Sequence, residues 1–119
     1  MSGRMAVILI VDDELNILLV LDEVLQDEGF VVHRAQNGQE ALAHALAEPP
    51  DLVVTDLMMP VMDGRALAQG LHDHPATAAV PILLISAAYK QQPTDRFIAV
   101  LPKPFAVDML LAAVEQLLV

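Results

Sequence analysis

At 119 residues, with 16 acidic against 6 basic side chains and a formal charge of -10, the chain can bury one real core but not two, so residues 1–119 are expected to form a single domain. That charge repels phosphate backbones and anionic lipid surfaces, which argues against direct nucleic-acid binding and membrane insertion, and the absence of cysteine excludes disulfides and thiolate chemistry. A hydrophobic fraction of 55% with one Tyr and three Phe leaves aliphatic side chains to build the core, as in helices packed on a parallel sheet.

The first apolar stretch, Met5 to Val11, is cut off by Asp12-Asp13-Glu14 and is too short for a signal-peptide core or a membrane span, so a soluble cytoplasmic protein is expected. Ala6–Val11 is a continuous aliphatic run without alternation and reads as a fully buried strand. Asp12 or Asp13 then caps a helix to about Glu28, which Gly29 stops. Val31–Ala35 is the second strand. Asn37-Gly38 turns the chain into a helix to about Glu48, Pro49-Pro50 breaks it, and Leu52–Thr55 is the third strand. A methionine-rich loop leads to a helix from Gly64 to about Asp73. Pro81–Ile85 is the fourth strand, residues 87–96 carry no clear pattern, Phe97–Leu101 is a fifth strand, and Phe105–Leu118 is an apolar final helix.

This alternation of strands and helices, without repeats or linkers, predicts a doubly wound parallel sheet. Ligands of such sheets bind beyond the carboxyl ends of the strands. The residues there are Asp12 and Asp13 after the first strand, Asp56 closing the third, Ser86 closing the fourth and Lys103 after the fifth. Each alone has a commonplace role: an aspartate before a helix is usually a cap, and a lone lysine usually a solvated charge. Together on one edge they describe chemistry. Three carboxylates in one crevice repel each other unless a cation sits among them, and oxygen ligands without His or Cys suit Mg²⁺. One carboxylate can then act as a nucleophile toward a phosphoryl group, with Lys103 and the Ser86 hydroxyl holding the transferred oxygens.

Four segments in order, "ILIVDDE", "PDLVVTDLMMPVMDG", "PILLISA" and "LPKPF", together resemble the response-regulator receiver domain of two-component signalling, over essentially the whole chain. The resemblance implies a flavodoxin-like five-stranded parallel sheet of order 2-1-3-4-5. It implies Asp56 as phosphoacceptor, Asp12 and Asp13 as the acidic pair serving Mg²⁺ with Asp13 the direct ligand, and Met58 as donor of a backbone carbonyl to the ion. Ser86 is similar to the family's switch hydroxyl and Lys103 to its phosphoryl-binding lysine, and Lys103-Pro104 to its cis peptide bond. Asp63-Gly64 forms the turn after the phosphorylation loop. The implied partner is a sensor histidine kinase or a histidine phosphotransfer protein. The implied activity is self-phosphorylation on aspartate with slow dephosphorylation, since neither Met58 nor Ala88 can orient a hydrolytic water by hydrogen bonding.

The sequence also departs from that pattern. Val100 stands where the family usually has a rotating aromatic ring, and the segment from Ala87 to Pro102 is short and contains Pro93. The fourth helix of the family is therefore expected to be short or missing, with loop 87–96 and Tyr89 carrying the output. A receiver-like interaction module with little phosphotransfer is the alternative reading. A phosphohydrolase is disfavoured because Met58 occupies the place of its second acid. His72 and His74 are expected to serve a helix end rather than a metal, and Met58, Met59 and Met62 to fill gaps beside the sheet. The first helix has a wider apolar arc than one buried stripe requires, which leaves Ile17 and Val20 to dock on a phosphohistidine donor.

Overall fold

A strand that is apolar at every position must be covered on both faces, and the computed structural model, which describes residues 5–86 and 98–118, shows how this is done. Five parallel strands, β1 (Val7–Val11), β2 (Val31–Ala35), β3 (Leu52–Asp56), β4 (Ile82–Ser86) and β5 (Ile98–Pro102), form one sheet in the order β2-β1-β3-β4-β5. Among the described residues there are four helices, α1 (Leu15–Asp27), α2 (Gly38–Ala47), α3 (Gly64–Asp73) and α4 (Val107–Leu118). None is long and apolar enough to cross a membrane.

Because successive strand residues point to opposite faces, each central strand feeds two cores. Ile8, Ile10, Leu52, Val54, Leu83 and Ile85 join Leu18, Leu21 and Leu25 of α1 and Leu110 and Val114 of α4. Leu9, Val11, Val53 and Leu84 join the small residues Ala41 and Ala45 of α2 and Leu67, Ala68 and Leu71 of α3. The sheet is thus sandwiched between α1 with α4 and α2 with α3, the expected doubly wound architecture.

Several boundaries differ from the sequence reading. Neither Asp12 nor Asp13 caps α1: Glu14 takes the N-cap position without a side-chain bond. Asp12 is instead turned into the protein at the end of β1, where its Oδ1 accepts the Glu14 N–H at 2.9 Å, a local aspartate turn that delays the helix. β1 starts at Val7 rather than Ala6, β3 runs on to Asp56 and β4 to Ser86, so both polar groups belong to the strands. The last helix begins at Val107, with the Ala106 carbonyl accepting the first helical bonds from Met109 and Leu110. The patternless segment 87–96 lies outside the described residues. So do the expectations placed there, namely the shortened fourth helix, Ala88, Tyr89, Pro93 and the Phe97 start of the fifth strand.

Candidate functional site

Strand register brings the polar strand ends together. Val11 pairs with Thr55 and Asp56 with Ile85, so Asp12 and Asp56 follow adjacent positions on the two central strands. This is where the strand order reverses, the point at which open α/β sheets form their ligand crevice. Ser86 pairs with Pro102, and the Lys103 N–H donates to the Ser86 carbonyl at 2.7 Å, so the lysine leaves β5 beside Ser86. The peptide bond between Lys103 and Pro104 is cis. Asp12, Asp13 and Asp56 each offer a carboxylate oxygen, and these oxygens lie within 4.8 Å of one another. Lys103 Nζ stands 3.4 Å from Asp56 Oδ1, a long contact in which charge outweighs hydrogen bonding.

Burial separates the carboxylates. Asp12, Asp56 and Ser86 are buried while Asp13 is exposed. The Asp12 carboxyl is raised from 3.8 to about 6, chiefly by burial and further by the charges of Asp56 and Asp13, against the opposing Glu14 N–H and the Lys103 ammonium. One lysine does not balance three acids.

Beyond Asp56 the chain is held against the site by backbone contacts. Gly64 N–H donates to the Leu57 carbonyl at 2.8 Å and closes the loop. A side chain at Gly64 would bring its Cβ to 2.6 Å from the Asp56 carbonyl oxygen and 3.0 Å from Leu57 Cα, so the start of α3 can lie on the site's backbone only as glycine. Asp63 caps α3, its Oδ1 accepting from Ala66 N–H at 2.8 Å. Inside the loop, Val61 adopts φ 70°, a costly conformation for a β-branched residue. Met59 and Met62 pack under the loop against the α2 and α3 side of the core, as gap-fillers should. Met58 does not: it is 72% exposed and fills nothing.

Asp12, Asp13, Asp56, Ser86 and Lys103 therefore converge on one edge, with Met58 in the loop that follows Asp56. His72 and His74 are both exposed at the end of α3 and join no cluster of three metal-ligand side chains among the described residues. Beside Lys103 lies an open apolar groove of about 510 Å³ lined by Ile17, Ile85, Pro104 and Phe105 as well as the lysine itself. Pro104 and Phe105 are visible in "LPKPF", but nothing local joins them to Ile17 of α1. On α1 itself Leu15, Leu19 and Val20 are exposed, whereas Ile17 is half-buried; Leu19 is an exposed apolar position the sequence reading passed over.

Residues 8–115 match the response regulator receiver domain family. The response regulator PleD of Caulobacter vibrioides is 43% identical over 88 residues, covering 73% of this chain and 18% of PleD. Among solved structures, the chemotaxis response regulator CheY4 of Vibrio cholerae is 32% identical with a TM-score of 0.86, covering 96% of this chain and 99% of that one. The response regulator protein TrrA of Thermotoga maritima, solved in complex with Mg(2+)-BeF, is 34% identical with a TM-score of 0.84, covering 95% and 99%. The chain spans about a fifth to a third of the length of the curated relatives it matches.

Proposed function

The chain belongs to the response regulator receiver domain family, and from that premise we propose that Asp56 takes a phosphoryl group from a phosphohistidine on a sensor histidine kinase or a histidine phosphotransfer protein. The observation that carries this reading is the meeting of three carboxylates and one lysine at the strand-order reversal, with Lys103 Nζ 3.4 Å from Asp56 Oδ1.

In the transfer, an Asp56 carboxylate oxygen forms a bond to phosphorus as the bond between phosphorus and the donor imidazole breaks, and the imidazole nitrogen keeps the electron pair. Lys103 starts on the carboxylate. As that oxygen is esterified, the ammonium moves its contact to a phosphoryl oxygen, where a charge-assisted bond is stronger. Ser86, at the adjoining strand end, carries the hydroxyl that would serve as a second donor to the phosphoryl group.

The donor set suits a hard divalent ion, since it is all carboxylate and three acids face one lysine, Lys103. Asp13 and Asp56 would hold Mg²⁺ with the Met58 backbone carbonyl, and Asp12 is the buried acid beside them. When bound, Mg²⁺ neutralises charge on the phosphoryl oxygens.

The partner surface is the α1 face next to the site. Leu15, Leu19 and Val20 are exposed there, and the groove at Ile17 and Phe105 continues toward Lys103. Apolar side chains of this kind match the helices that present a phosphohistidine. The test is intact-protein mass spectrometry after incubation with acetyl phosphate and Mg²⁺. A single phosphoryl adduct is expected, absent in Asp56→Asn and in EDTA; an adduct that survives either condition would refute the assignment.

A further inference from the structure

A second set of metal-ligand side chains lies away from the strand ends. His33 stands in the middle of the edge strand β2, paired with Leu9 of β1. His44 and Glu48 lie one turn apart at the far end of α2, the helix whose start, Gly38, abuts Met62. One ligand atom from each of the three side chains lies within 4.8 Å of the others.

The arrangement follows from strand parity. Ala35 is buried among Ala41 and Ala45 of α2, so His33, two residues earlier, shares the face that α2 covers. Arg34 between them turns the other way, with its Nε 3.4 Å from Asp22 of α1, which keeps the guanidinium off the cluster. The two imidazoles are half-buried, their centroids 4.9 Å apart and their planes tilted by 47°. A histidine in the last turn of a helix commonly serves the helix dipole, and this accounts for His44 alone. It does not account for the second imidazole or for the carboxylate that meets both.

We propose that His33, His44 and Glu48 form a binding site for Zn²⁺ or a similar late first-row divalent ion, separate from the carboxylate site at Asp56. Two imidazole nitrogens and one carboxylate oxygen are the donor set of a zinc site with an open fourth position, and imidazole selects against Mg²⁺. Bonds of about 2.1 Å in tetrahedral geometry place ligand atoms about 3.4 Å apart. The cluster therefore has to contract by at most about 1.4 Å, and the exposed Glu48 at the C-cap of α2 has side-chain torsions free to contribute. The bound ion ties the edge strand β2 to α2. This site stands independently of the role assigned to Asp56.

Calorimetric titration of the intact protein with ZnCl₂ in excess Mg²⁺, so that the carboxylate site is competed, tests the proposal together with NMR of the imidazole nitrogens. One equivalent is expected to bind, shifting the ring signals of His33 and His44 and leaving His72 and His74 unmoved. His44→Gln and Glu48→Gln should each weaken Zn²⁺ at least about tenfold, the loss that even supporting groups of a metal site produce. Glu48 is exposed, so Glu48→Gln remains informative if His44→Gln impairs folding. Absence of Zn²⁺ binding, unchanged affinity in Glu48→Gln, or shifts confined to His72 and His74 would each overturn the site.

Discussion

Replacing Asp12 by Asn is expected to stabilise the metal-free protein at neutral pH while impairing its chemistry. Asp12 is 3% exposed, and its carboxyl is raised from 3.8 to about 6 by burial and by Asp56 and Asp13. An acid whose pKa is higher folded than unfolded binds more protons in the folded state, so stability falls as pH rises through that window. Here the loss begins near pH 4 and is complete above about pH 6. At about 1.36 kcal/mol per pH unit the shift corresponds to about 3 kcal/mol in the ionised wild type. Asparagine keeps the Oδ1 that accepts the Glu14 N–H and removes the buried charge. Urea unfolding followed by circular dichroism in EDTA should show Asp12→Asn matching wild type near pH 4 and exceeding it by about 2–3 kcal/mol near pH 7.5. Saturating Mg²⁺ should narrow the gap, because a ligand at about a hundred times its Kd adds about 2.7 kcal/mol to the protein that binds it better. A stability difference that stays constant from pH 4 to pH 8 would refute the reasoning, as would a less stable variant at neutral pH in EDTA.

Gly64→Ala forces a methyl group to 2.6 Å from the Asp56 carbonyl oxygen; it should cost roughly 1–3 kcal/mol in urea unfolding and slow acetyl-phosphate labelling, since backbone cannot yield as a flexible side chain does. Thr77, buried with its Oγ1 donating to the Leu71 carbonyl at 2.6 Å, anchors the end of α3, and Thr77→Val should lower stability by about 1 kcal/mol. Val20→Glu places a charge on an exposed apolar position of α1, so phosphotransfer from the cognate kinase should slow while labelling by acetyl phosphate is unchanged; equal loss with both donors would indicate misfolding. Met58→Asn puts a water-orienting amide two residues from Asp56, and decay of the phosphoryl group should quicken about fivefold, the rate equivalent of about 1 kcal/mol; unchanged or slower decay would show that water access is set elsewhere.

The sequence alone determined that the five strands exist and placed their carboxyl ends to within one residue, because an uninterrupted aliphatic run such as Ile8–Val11 or Leu52–Val54 has to be covered on both faces and the residue that breaks it falls at the sheet edge. It also indicated that α1 carries more apolar surface than it can bury, and Leu15, Leu19 and Val20 are exposed. It misplaced the cap of α1, since an aspartate before a helix looks the same whether its oxygen serves the helix or turns inward, as that of Asp12 does. It also grouped Met58 with Met59 and Met62, which the loop separates into one exposed and two packed side chains. What only the tertiary structure decided is which distant residues share a place: Ile17 with Phe105 along one groove, Thr77 under Leu71, Gly64 on the Asp56 backbone, and His33 with His44 and Glu48. Periodicity reports contacts within about four residues along the chain, whereas strand register and helix packing bring together residues that no local pattern relates.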